Sequence, residues 1–198
     1  MAGLRFGCAL VLSLPLFAGA ARAQDQPPAA TPALYDRPIL VVDPGMHTAP
    51  IYRASADAFG RWAATGSHDK TVRVWSLADG ARLRTIRLPA GPGEIGEVFA
   101  VAMSPDGALV AAGGWARATD ADRQEQVYLY DRDSGTLVGR IKQLPDTVLH
   151  LVFSTDGRFL VATLHHDGLR VFARERQWAE VDRDDDYGDQ SYGADFGP

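Results

Sequence analysis

The sequence predicts an all-β fold assembled from repeated antiparallel sheets. Three observations predict it. Short β-branched and aromatic runs alternate with turn residues, no stretch holds a helical period, and one order of parts recurs at steps of 47 and 50 residues. Val72, Val74 and Trp75 follow Asp69-Lys70-Thr71, Val127, Leu129 and Tyr130 precede Asp131, and Leu169, Val171 and Phe172 follow Asp167-Gly168. Such runs, bounded by Gly, Asp and Ser, carry the strand signature.

The chain has 198 residues, 46% hydrophobic and 23% charged, which is ordinary for a globular protein. Its formal charge is −5. A nucleic-acid binder needs a clustered basic face to neutralise phosphates, and none is present.

The N-terminus reads as an export signal. Met1 to Arg5 carries one positive charge, Phe6 to Ala20 is almost continuously apolar, and Ala21-Arg22-Ala23 offers small residues to a signal peptidase. Residues 1–23 are therefore expected to be removed after Ala23, leaving a periplasmic or secreted protein. The apolar run is too short for a membrane span, which needs about 20 residues. Cys8 is the only cysteine, so the mature chain would hold no disulfide, catalytic thiol or cysteine metal site. It would carry 18 basic and 25 acidic residues, a net of −7. Residues 24–38 follow as a linker, with Pro27, Pro28, Pro32 and Pro38 denying it ladder hydrogen bonds.

Residues 39–198 hold the repeats, at about 43–88, 94–144 and 146–181. The first has Ser55, Gly60, Trp62 to Ser67, Asp69 to Trp75, then Asp79-Gly80. The second has Val101 to Ser104, Pro105-Asp106-Gly107, Ala108 to Gly114, Val127 to Asp131, then Ser134-Gly135. The third has Leu151 to Ser154, Thr155-Asp156-Gly157, Phe159 to Leu164, then Asp167 to Phe172. Gly60, Gly107 and Gly157 are the corresponding turn glycines. The polar stretch Ala116 to Gln126 lengthens the second repeat and reads as a loop.

The segment Gly66-Ser67-His68-Asp69-Lys70-Thr71-Val72-Arg73-Val74-Trp75 resembles the core of a WD40 repeat. Ser-Pro-Asp-Gly at 104–107 and Ser-Thr-Asp-Gly at 154–157 resemble that family's turn between the first two strands of a blade. The resemblance implies a β-propeller of about three four-stranded antiparallel blades plus the start of a fourth at 190–198, in an incomplete ring. The tail Ser191 to Pro198 matches Val98 to Pro105, and Leu40-Val41-Val42 could be an outer strand that closes the ring onto an absent blade. This reading makes the chain part of a longer protein.

The resemblance also implies a structural hydrogen-bond network of His47, Thr65, Asp69 and Trp75. A buried carboxylate needs donors, and an imidazole supplies one while accepting another. A catalytic His47–Asp69 dyad is the competing reading, and the flanking pattern favours the structural one. The Trp-Asp pair itself is missing: Trp75-Ser76, Tyr130-Asp131 and Phe172-Ala173 hold its positions. The third repeat is read as keeping the aspartate as Asp167. Blade turns are expected at Asp106, Gly107, Asp156, Gly157 and Asp167.

Two further clusters bear on metals. His165-His166-Asp167 would need both imidazoles on one ion, but neighbours on a strand point to opposite faces; a turn role is preferred. In Asp182 to Asp189 the glycine falls seventh and no Glu follows, against the calcium-loop pattern, so a solvated loop is expected. Asp120, Asp122, Arg123 and Glu125 offer either a recognition loop or a merely tolerated insertion.

The functional expectation is a noncatalytic scaffold for a protein or peptide partner, with no catalytic residue, cofactor or metal. The alternative is the regulatory or substrate-recognition propeller of a larger enzyme, such as a caspase-like protease fusion, with the remaining part of that protein as a further partner.

Overall fold

The computed structural model describes residues 38–116, 124–186 and 190–197. The expected signal peptide, nearly all of the expected linker, and Asp120, Asp122 and Arg123 lie outside them. Among the described residues twelve strands form three antiparallel sheets. The first is β1 (Ile51–Ala56), β2 (Trp62–Ser67), β3 (Thr71–Ser76) and β4 (Arg82–Arg87). The second is β5 (Val98–Met103), β6 (Leu109–Gly114), β7 (Glu125–Asp131) and β8 (Leu137–Leu144). The third is β9 (Val148–Phe153), β10 (Phe159–Leu164), β11 (Leu169–Ala173) and β12 (Ala179–Asp184). Each sheet is an up-and-down meander in chain order. These are three propeller blades in a ring that is not closed.

The innermost strands follow from packing: β1 lies against β5 and β5 against β9, while β4, β8 and β12 sit at the opposite sheet edges. Strand periodicity of two sends alternate residues to opposite faces. Val72 and Val74 are fully buried with Val98, Val101, Val110 and Tyr128, joining the first blade to the second. Leu129, Ile141, Leu151, Phe153, Leu160 and Phe172 join the second to the third. Burying each such side chain contributes about 1.5–3 kcal/mol. Outer strand β12 is exposed throughout, as suits a charged edge.

The first turn of each blade repeats one device. Ser104 Oγ donates to Asp106 Oδ1 (2.5 Å) and accepts from Leu109 N–H (2.9 Å); Ser154 repeats this with Asp156 (2.6 Å) and Phe159 N–H (2.9 Å). The first blade uses Asp57 in place of the serine. Its carboxylate accepts from Trp62 N–H (2.9 Å), Arg61 N–H (2.7 Å) and Arg61 Nε (2.8 Å). Burial raises the Asp57 pKa, but these donors outweigh it and hold it below the ordinary value. Gly60, Gly107 and Gly157 have φ of 64°, 71° and 70°, in the region glycine enters without steric cost.

Three expectations change. Glu125 and Gln126 begin β7, so the inserted loop is shorter than Ala116 to Gln126. Asp182, Arg183 and Asp184 pair with β11 as the end of β12, because Arg170 and Leu169 supply ladder partners, and only the residues after them leave the sheet. Leu40, Val41 and Val42 lie outside the strands, and the further blade they are expected to pair with is not among the described residues. Residues 190–197 likewise are not a strand. They run beside the third blade, with Ser191 N–H to Leu164 O (3.4 Å), Thr163 Oγ1 to Ser191 O (2.5 Å) and Ala194 N–H to His150 Nδ1 (3.1 Å).

Candidate functional site

Two arrangements of side chains stand out: a buried network in the first blade, and a cavity at one end of the inner strands.

His47, on the segment leading into β1, places Nδ1 2.8 Å from Asp69 Oδ2 and Nε2 2.8 Å from Thr65 Oγ1. Trp75 Nε1 donates to the same Thr65 oxygen at 2.8 Å. The carboxylate can only accept, so Nδ1 carries the imidazole proton. Nε2 then accepts from the Thr65 hydroxyl, whose oxygen takes the indole N–H. Thr71 Oγ1 (2.6 Å) and Thr48 N–H (3.1 Å) also donate to Asp69. Burial pushes the Asp69 pKa up, yet Thr71, His47 and Thr48 outweigh it and hold the carboxyl below its ordinary value. The His47 and Asp69 side chains are 3% and 7% exposed. Every polar atom in this chain is engaged by another residue of the blade, so the set ties the entering segment to the β2–β3 turn.

Asp43 extends the tie. It accepts from Arg73 Nη2 (3.0 Å) and Arg82 Nη1 (2.9 Å), and its pKa is lowered to about 2 by the Gly45 N–H and these guanidiniums. Arg73 is 2% exposed in mid-β3, paired across the sheet with Thr65. Strand pairing gives Arg170 the matching place in the third blade, opposite Ala162, and it too is buried. Counting back from these arginines corrects the reading of Asp167. It corresponds to Lys70, and both have positive φ (67° and 66°), while His166 holds the position of Asp69. Asp167 gives its backbone carbonyl to Arg170 Nη1 (2.7 Å).

The cavity, of about 630 Å³, is lined by Tyr52, Phe99, Leu149, Trp115, His165 and His166, with Arg53, Asp146 and Tyr192 at its wall. Its walls are register-equivalent: Tyr52, Phe99 and Leu149 are the second residues of β1, β5 and β9. His68, Trp115 and His165 are the first residues after β2, β6 and β10. Tyr52 stacks on His68 (4.2 Å between centroids), Phe99 meets both edge-on, and Trp115 meets Phe99 at 5.3 Å. Phe99 and Trp115 lie outside the motif segments that carry the WD resemblance. The signal that finds them is the same pair of steps, 47 and 50, that separates the turn glycines.

His165 and His166 lie in the turn after β10, not on a strand, so strand alternation does not separate them. Their Nδ1 atoms are 2.8 Å apart, and their partner is Asp146. Glu125, grouped by sequence with a recognition loop, is 3% exposed. Its carboxylate accepts Ala116 N–H at 2.6 Å, across the base of the loop, on a strand buried on both faces.

A family model for the WD domain, G-beta repeat, matches residues 44–76, the segment that contains the whole His47 network. Residues 44–76 thus resemble a WD repeat. The ciliary WD repeat-containing protein ctxp80 of Euplotoides octocarinatus is 35% identical over 91 residues, covering 46% of this chain and 12% of that protein. The small ribosomal subunit protein RACK1y of Oryza sativa subsp. japonica is 39% identical over 87 residues, covering 43% of this chain and 24% of that protein. The chain thus matches only about an eighth and a quarter of the length of these relatives. Among its described residues no helix is long and apolar enough to cross a membrane.

Proposed function

We propose that this chain is a noncatalytic WD-repeat scaffold that binds a protein or peptide partner in the periplasm or outside the cell. WD-repeat proteins act as protein-interaction scaffolds, and the aromatic cavity at the ends of the inner strands carries the reading for this chain. Tyr52, Phe99, Trp115 and Tyr192 come from separate elements and meet there on a rigid frame, beside the Arg53 guanidinium. Aromatic side chains and arginine anchor protein interfaces at low entropic cost. The side-chain polar atoms of His47 and Asp69 are engaged by hydrogen bonds within the first blade, which favours the structural reading of the pair.

The test uses the full chain exported from its own host, captured with and without Phe99→Ala and Trp115→Ala, and with Val138→Ala on the outer strand β8 as control. Loss of a specific captured protein in the cavity variants alone supports the reading. Equal recovery in all three overturns it. N-terminal sequencing of the exported product tests cleavage after Ala23, and retention of residues 1–23 in the cytoplasm counts against the location.

The exposed run Ile39, Leu40, Val41 and Val42 (50%, 96%, 49% and 80%) supports further blades, from the same protein, as a second partner. Sequencing the gene beyond codon 198 decides it: an uninterrupted frame encoding more blades supports this reading, and a stop codon there sinks it.

A further inference from the structure

We infer that Asp146, His165 and His166 form a binding site for one divalent transition-metal ion at the wall of the aromatic cavity. The three ligand atoms converge. His166 Nδ1 lies 2.9 Å from Asp146 Oδ2 and 2.8 Å from His165 Nδ1, and His165 Nδ1 lies 3.7 Å from the same carboxylate oxygen. The circle through atoms at these separations has a radius of about 1.9 Å, below a metal–nitrogen bond of about 2.1 Å. A point therefore exists one bond length from all three without moving any of them.

Proton bookkeeping points the same way. His166 Nδ1 faces an acceptor-only carboxylate oxygen on one side and a second ring nitrogen on the other. One N–H can serve only one of them. With the proton aimed at Asp146, His165 Nδ1 meets a nitrogen that has no lone pair to offer; with it removed, two lone pairs face each other at 2.9 Å. A cation accepts all three lone pairs and removes the conflict.

The ligands are also held in place. Thr147 N–H (2.6 Å) donates to Asp146 Oδ1, His166 N–H (3.1 Å) donates to Oδ2, and His165 N–H donates to Thr147 O (2.8 Å). These bonds lock the segment before β9 to the turn after β10. The two rings meet edge to face at 78°, with their Nδ1 atoms 2.8 Å apart. Two imidazoles and one carboxylate suit Zn²⁺, Ni²⁺ or Cu²⁺ over Ca²⁺ or Mg²⁺, which prefer all-oxygen shells. Three protein ligands leave coordination positions open, and all three side chains line the cavity. The ion would give that cavity, which Tyr52 and Phe99 also line, a Lewis-acidic wall. The inference stands independently of any protein partner.

The test uses the untagged full chain in a Cys8→Ser background, so that no thiol competes. Zn²⁺ competition against a chelating dye should show one equivalent bound with a dissociation constant below about 10 μM. Cu²⁺ in the same site should show electron paramagnetic resonance hyperfine structure from two nitrogens. His165→Ala, His166→Ala and Asp146→Asn should each weaken binding at least tenfold, whereas His150→Ala should not. Circular dichroism of each apo variant matching the parent excludes unfolding as the cause. Weaker or unsaturable binding, or tight binding that survives the His165→Ala/His166→Ala double substitution, overturns the site.

Discussion

His47 and Asp69, 22 positions apart in the chain, are joined at 2.8 Å by an imidazole that hydrogen-bonds through both ring nitrogens. Removing the ring leaves the buried Asp69 and Thr65 oxygens short of a partner. His47→Ala is expected to lower stability by about 2 kcal/mol, and Trp75→Phe, which loses one indole N–H bond, by about 1 kcal/mol. Urea unfolding monitored by tryptophan fluorescence and circular dichroism measures both. Equal costs for the two substitutions would contradict a chain that runs through the imidazole.

Acid should loosen the blades. Asp43 is held at about 2 by the Gly45 N–H, Arg73 and Arg82, and Asp57, Asp69 and Asp106 also lie below their ordinary values. A carboxyl depressed in the folded state binds fewer protons there than in the unfolded chain. Its contribution is complete above the unfolded value of about 4 and is lost as pH falls through the folded value. Glu97, raised by burial, acts in the opposite sense and is outnumbered. The urea midpoint is expected to fall steadily from about pH 5 to pH 2; a flat profile there would refute the account.

Gly107 and Gly80 separate two costs of replacing a turn glycine. Both have positive φ, 71° and 72°. A Cβ on Gly107 would stand 2.5 Å from the Trp62 ring, whereas one on Gly80 meets nothing within 4 Å. Gly80→Ala is expected to cost about 1 kcal/mol, and Gly107→Ala about 2–3 kcal/mol. Thermal unfolding of the two variants gives the comparison, and the ordering is the test.

The contact between the second and third blades should respond to core truncation alone. Leu160 is fully buried there, and Val181 on β12 is exposed. Leu160→Ala is expected to cost about 2–5 kcal/mol and Val181→Ala less than about 0.5 kcal/mol. Calorimetric unfolding would show whether the blades melt together.

Much of the blade architecture is written locally. Val72, Val74 and Trp75 alternate in a strand because neighbouring side chains face opposite ways. The Gly60, Gly107 and Gly157 turns repeat because each needs the same positive φ. His47, Thr65, Asp69 and Trp75 carry the same local pattern that the WD model matches. Strand ends were less legible. Glu125 and Asp182 read as loop residues because they are charged, but pairing with β8 and β11 holds them in strands.

The sequence by itself determined the repeat, its period and the residues at each turn, since these depend on backbone preferences and alternation over a few positions. Only the tertiary structure decided what those positions meet. Tyr52, Phe99 and Trp115 share a cavity because β1, β5 and β9 pack side by side. Asp146 reaches His165 and His166 because a turn, not a strand, carries the two histidines, and that turn folds back on the segment entering β9. Strand alternation had kept the imidazoles apart; three-dimensional closure of the turn brings them to 2.8 Å.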